Sequence, residues 1–441
     1  MPSGDKIDTH QKALSINLDP TIFGSFAEIG AGQEVARWFL QVGAASGTVA
    51  KTISAYDKEV SDHLYGAGTR YVSLERLRAM LEQEWKELLT QLETTRGATT
   101  TFISFVDTVS ARNFAGNNEC HGWLGLRFQT TPGGPVNDVI LHVNLRDDSN
   151  LQQQAAVGVL GVNLIYGTYH HRGSVEEFLR SLADDLSLSR IEIDCVELTG
   201  PVFANWDATF VQASLISGGL AEAVIFPVDG NLVPPTELLY KKAVVMAPGR
   251  FDLAEKYHQE MIEDTLATLP KEESEKNKGS IGLFTLTVAP TANGFESLTA
   301  REITEHVGQL RRLGSGVLVF RERELYKMSA FVSRFTNGRI HFAVGLSLFV
   351  RAIGDDYSDL EGSLLEGIAR LFRLNVRLGV FPMSVADLEG WLKAASITGW
   401  TWEVTDGMIT AENLHPAKPL SYLHEYLLAT GFLIPMPETR D

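Results

Sequence analysis

The sequence predicts an α/β protein, on three observations. Hydrophobic residues make up 44% of the 441 residues, which is enough for large buried cores. Short runs rich in β-branched and aromatic residues alternate with amphipathic runs at helical spacing, most regularly after residue 280. One charged segment without apolar period, "LPKEESEKNKGS" (269–280), interrupts the pattern and reads as a solvated linker. The expected architecture is a helical N-terminal region over 1–98 and a mixed-sheet central α/β domain over 99–268. After the linker at 269–280, a C-terminal α/β domain over 281–441 carries an open, mainly parallel sheet.

Val35, Trp38, Phe39 and Val42 fall at helical spacing after Gly30 and Gly32. Ser73 is placed to cap the next helix, whose apolar stripe runs through Leu77, Met80, Leu81, Trp85 and Leu88. Three strands follow, "TTTFISFVDTV", "GWLGLRFQ" and "NDVILHVNL", the last two joined by the turn "TTPGGP". A nearly uncharged helix near 151–166 precedes an amphipathic one capped by Ser174. "RIEIDCVEL" alternates apolar and polar residues as a half-buried strand does. A helix near 207–217 and the short strand "AEAVIFP" close this region. In the C-terminal part "IGLFTLTVA", "GVLVF", "RIHFAVGL" and "NVRLGVFP" read as strands separated by helices, the first of which Thr299 caps.

Net charge and cysteine usage exclude several classes. A formal charge of -17 with no basic cluster argues against DNA or RNA and against anionic membrane surfaces. Two cysteines, Cys120 and Cys195, fit a reducing cytosol, and no apolar leader is visible, so a cytoplasmic location is expected. The apolar core of the 149–171 segment is too short and too diluted by Gln and Asn to span a membrane.

"FAEIGAGQEVARWF" (26–39) raises the question of a phosphate-binding turn. A dinucleotide site needs an apolar buried strand before the glycines, and "FGSFAEI", with Gly24 and Glu28 inside it, is a poor one. Gly30 and Gly32 therefore read as a tight turn into a helix whose first amides are a candidate anion site. Asp107 ends an apolar strand, with His121 and Arg127 downstream. That set suggests an acid–base pair, Asp107 and His121, with Arg127 as an anion clamp; the alternative is a buried Asp capping a turn. Glu192 and Asp194 share a strand face and are candidate metal ligands. Cys120 and His121, being adjacent on a strand, face opposite ways and do not form a nucleophile pair. The sequence names no cofactor.

The words "GSFAEIGAGQEVARWF", "SGTVAKTISAYD", "CHGWLGLRFQ" and "DLEGSLLEGIARLF" resemble a family of conserved, poorly characterised bacterial proteins often labelled nicotinate-nucleotide adenylyltransferase or TonB-dependent receptor. Neither label suits these residues: His170 and His171 lack the HxGH-type pattern, and no signal peptide or long barrel pattern is present. Two functions are expected. One is a self-assembling structural or scaffold protein that forms homo-oligomers. The other is an enzyme or binding protein for an anionic small molecule, nucleotide- or phosphate-like.

Overall fold

A computed structural model describes residues 7–68, 70–251, 256–270, 278–289, 296–354, 357, 359–373, 375–404 and 407–438. The fold is α/β, and the chain divides into two units, Met1–Glu222 and Ala223–Asp441.

The first unit contains, in order, α1 (Thr9–Asn17), β1 (Ile22–Ile29), α2 (Glu34–Gln41), β2 (Val49–Ile53), α3 (Lys58–Tyr65), α4 (Leu74–Arg96), β3 (Thr101–Ser110), β4 (His121–Phe128), β5 (Asn137–Leu145), α5 (Asn150–His170), α6 (Val175–Leu182), β6 (Ile191–Thr199) and α7 (Ala208–Ser217). Its six strands lie in the order β2-β1-β3-β4-β5-β6. β1 is parallel to β2 and β3, and the remaining pairs are antiparallel. Ser73 and Ser174 cap α4 and α6, as their positions in the sequence predict.

The N-terminal region is not purely helical. "FGSFAEI" forms most of β1, a buried strand between β2 and β3. Small residues replace the Val/Ile/Leu run expected there and draw β3 close. A Cβ on Gly24 would stand 1.8 Å from the Ile103 carbonyl oxygen, and Ser25 Oγ meets Ser104 Oγ at 3.1 Å.

The sheet has two covered faces. α4 lies on one, where Gly125 faces Leu77 and Leu81 and Trp123 joins Leu77, Met80 and Leu81 in one apolar cluster. α5 and α2 lie on the other, where Gly161 packs against Val35 and Phe105. The chain leaves β1 through α2 to reach β2, then returns over the α4 face to β3 on the other side of β1. The strand order thus reverses between β1 and β3, and a crevice at the carboxyl ends of such strands is where α/β proteins bind ligands.

The second unit contains β7 (Ala223–Phe226), α8 (Pro235–Leu238), β8 (Ala243–Gly249), α9 (Lys256–Ala267), β9 (Ser280–Thr287), α10 (Ala300–Arg311), β10 (Gly316–Phe320), α11 (Leu325–Val332), β11 (Ile340–Gly345), α12 (Leu346–Gly354), α13 (Ser363–Leu371), β12 (Val376–Phe381), β13 (Met383–Ser384), α14 (Val385–Ala394), β14 (Trp400–Trp402), β15 (Met408–Ile409), β16 (Leu414–Pro416), α15 (Leu420–Ala429) and β17 (Leu433–Pro435). Its main sheet runs β17-β12-β11-β8-β9-β10-β7 and is parallel except for the β7–β10 pair. Its core is rich in phenylalanine, including Phe320, Phe331, Phe342 and Phe349. Thr299 forms a capping box at α10. The unit boundary thus falls ahead of β7, and the charged segment at 269–280 sits between α9 and β9 inside the second unit. Of that segment, residues 271–277 lie outside the described residues. Because β8 and β9 pair directly, the charged composition marks a crossover connection. Among the described residues no helix is long and apolar enough to cross a membrane.

Candidate acid–base site

Three adjacent strands of the first unit carry a chain of buried polar groups on the α4 face. Asp194 on β6 accepts from His142 on β5, Nδ1 to Oδ1, at 2.6 Å. His142 Nε2 lies 3.1 Å from Nδ1 of His121, the first residue of β4. Asn144 holds the other Asp194 oxygen with an N–H at 2.7 Å, and the Trp123 indole packs edge-on against His142 with ring centroids 4.8 Å apart. The register explains the meeting. Trp123 pairs with His142, which puts His121 on the diagonal, and an irregularity between His142 and Val143 brings Asp194 beside the imidazole.

With a neutral His142, the contacts select one set of tautomers. Asp194 accepts, so Nδ1 of His142 carries the proton, and Nε2 of a neutral His142 is an acceptor. His121 must then donate through Nδ1, which leaves its Nε2 with a bare lone pair. Among the described residues Nε2 has no hydrogen-bond partner, and it is not one of the sealed polar atoms. His121 keeps 8% of its surface exposed at the start of β4, whereas His142 is fully buried. Burial first, then the neighbouring His142 and Arg70, lower the His121 pKa to about 4 against the pull of Asp194. At neutral pH His121 is therefore an unprotonated imidazole with a small exposed edge, backed by a second imidazole and a carboxylate.

A second polar feature lies on the opposite face, at the reversal point between β1 and β3. Glu28 and Asp107 are register partners on the two parallel strands, and both are buried. Glu28 accepts from the Val35 amide at 3.0 Å and the Ala36 amide at 2.9 Å, at the start of α2. Asp107 accepts from the Ile29 amide at 3.0 Å through Oδ1, and its Oδ2 has no hydrogen-bond partner. Burial, opposed by the Ala36 and Val35 amides and helped by the Glu34 charge, raises the Glu28 pKa to about 7. Burial, and then the Glu28 charge, push Asp107 well above the usual carboxylate range. Two buried carboxyls at paired positions of adjacent strands, with no cation paired to them among the described residues, do not both ionise at neutral pH. Glu28 has two amide donors and the helix dipole behind it, so Asp107 is the member that keeps a proton.

The residues expected to form one site are thus distributed over several. Asp107 and His121 do not pair: Asp107 faces α5 through its register with Leu124, and His121 faces α4. The Val35 and Ala36 amides at the start of α2 are taken by the tethered Glu28 carboxyl, so that slot is closed to an external anion. Arg127 is committed to Asp138 at 2.8 and 2.9 Å and to Glu82 at 2.7 Å, which leaves no fork for a ligand. Glu192 and Asp194 share a face, but Glu192 is taken by Arg146, Asn144 and the Glu222 amide. Asp194 is taken by His142 and Asn144. Among the described residues no cluster of three His, Cys, Asp or Glu side chains is arranged to hold a metal. His142 escaped sequence reading altogether, since one histidine in "NDVILHVNL" gives no signal until the hairpin register is applied.

No protein-family model and no curated protein matches the chain. Solved structures show partial likeness. One is the competence/damage-inducible protein CihA of Agrobacterium tumefaciens, at 18% identity and TM-score 0.28, covering 36% of this chain and 93% of that one. A second is a competence-damaged protein (CinA) superfamily protein of Enterobacter cloacae, at 10% identity and TM-score 0.29, covering 38% and 96%. Likeness at this level carries no argument about either fold or function.

Proposed function

We propose that the first unit is an enzyme or binding module for an anionic small molecule, with His121 as its proton acceptor or nucleophile. The observation behind this is the Asp194–His142–His121 chain, which ends in a nitrogen without a hydrogen-bond partner among the described residues, on a ring that keeps a small exposed edge. When Nε2 accepts a proton, the Nδ1 proton of His121 can move to His142 and positive charge is shared toward Asp194. An anionic substrate is part of the proposal, and the positive charge of Arg70, felt at His121, supports it. That charge lowers the His121 pKa, so an anion held beside Arg70 removes that effect and makes His121 more basic when substrate is present. Membership of the poorly characterised bacterial family that the chain resembles is part of the same proposal and rests on the quoted words alone.

An activated ester such as p-nitrophenyl acetate probes the imidazole without knowledge of the natural substrate. The chain should hydrolyse it at a rate nearly flat from pH 6 to 8, because His121 is already unprotonated there. His121→Gln should abolish that rate, and Asp194→Asn should lower it about tenfold or more by releasing the His142 tautomer. Equal rates for the parent and His121→Gln would refute the assignment. A self-assembling role is the second reading, and the observation that favours it is the unpaired edge of β2.

A further inference from the structure

β2 is an end strand of the six-stranded sheet, with β1 on one side and no strand on the other among the described residues. An unpaired strand edge is a template for another chain, and proteins usually blunt it with outward lysines, prolines or bulges. β2, "VAKTI", contains no proline; its register against β1 slips once, at Ala50, and its one charge, Lys51, is about one-third exposed and drawn back onto α4. Lys51 Nζ sits 2.7 Å from Glu84 and 2.8 Å from Glu87 on α4. The elements flanking β2 in the chain carry exposed apolar side chains: Leu40 on α2 at 52%, Tyr56 just after β2 at 74%, and Val60 on α3 at 50%. Beside β2 lies a cleft of about 180 Å³ whose lining mixes the apolar Phe23, Leu88 and Leu92 with Lys51, Glu84, Glu87 and Arg96.

We propose that β2 is the seam of a twofold homodimer, pairing antiparallel with β2 of a second copy. Charge selects both the partner and the direction. The Val49 end of β2 lies toward the end of α4, where Arg96 stands over the Phe23 ring at 4.1 Å. The Ile53 end leads into α3, whose exposed start, Asp57, Lys58 and Glu59, carries one net negative charge. Among the described residues neither Arg96 nor Glu59 has an ion-pair partner. Antiparallel pairing brings the Arg96 end of one copy against the acidic α3 start of the other, twice, whereas parallel pairing sets like ends together. It also carries the partner's Tyr56 past Ile53 toward the mouth of the cleft, where Phe23 and Leu92 offer an apolar wall and Arg96 a cation for the ring. The two sheets then continue as one across the seam.

Light scattering of the full chain after size exclusion tests this. The parent should run as a dimer of 48.5 kDa chains, and Thr52→Pro, which removes an edge amide donor, should run as a monomer with an unchanged circular dichroism spectrum. Independently, Arg96→Glu and Glu59→Arg should each weaken the dimer about tenfold, since each breaks two symmetric contacts, and the double variant should restore it. A parent that stays monomeric at high concentration overturns the proposal. So does a dimer indifferent to Thr52→Pro or to both charge reversals.

Discussion

Asp107→Asn should make the first unit more stable at pH 8 and leave it nearly unchanged at pH 4. Glu28 and Asp107 both have folded pKa values above their ordinary ones, so the folded chain holds protons that the unfolded chain releases. Below about pH 4 both states are protonated and the pair costs nothing. As pH rises through the unfolded carboxyl range toward 7 and beyond, unfolding is increasingly favoured. For Glu28 alone, the rise from 4.5 to about 7 is worth about 3 kcal/mol at pH 8. Asparagine keeps an oxygen for the Ile29 amide, removes the neighbouring acid and offers Glu28 an N–H. The gain at pH 8 should be about 1–3 kcal/mol, read from urea melts on the first unit's transition, with a flatter dependence on pH. Lower stability of the variant at pH 8 would mean that a buried cation, and not a shared proton, balances the pair.

The second large effect is steric. Gly30→Ala should cost the first unit about 3 kcal/mol or more, whereas Gly32→Ala should cost about 1 kcal/mol. Both glycines have positive φ, 100° and 77°. They differ in surroundings. A Cβ on Gly30 would stand 1.8 Å from the Val109 carbonyl oxygen, while one on Gly32 meets nothing closer than 3.6 Å. The Val109 carbonyl belongs to β3 and cannot retreat without opening the ladder that holds Glu28 beside Asp107. Thermal melts of the two variants separate these cases, and equal losses would show that backbone strain alone governs the turn.

Much of the fold was legible because strand and helix periods differ in kind. β3, β4, β5 and the helices of the second unit announce themselves through aromatic and β-branched runs and through caps at Ser73, Ser174 and Thr299. β1 was misread because its burial depends on tight approach of neighbours, and small residues with one glutamate look polar when read singly. The unit boundary was displaced because charge density reports solvent exposure, which a crossover loop shares with a linker. At the candidate site, His121 and Asp194 were picked out, but with the wrong partners. The β4–β5 hairpin register, countable from the "TTPGGP" turn, places His142 diagonally from His121. The irregularity that delivers Asp194 from β6 comes from a long-range pairing with no local signature. Glu28 was noted as a charge inside a poor strand, since its place beside Asp107 depends on β1 and β3 being neighbours, which only the crossover topology decides.

The central claim is that His121 is a neutral imidazole with its proton on Nδ1 and a bare Nε2. Long-range ¹H–¹⁵N correlation spectra of the histidine rings, recorded from pH 7 down to pH 5, test it directly. The Nδ1–H tautomer should persist for His121 across that range, as a pKa of about 4 requires, and Asp194→Asn should disturb it through His142. A proton on Nε2 at pH 7, or an imidazolium formed above pH 6, would contradict the relay and the function built on it.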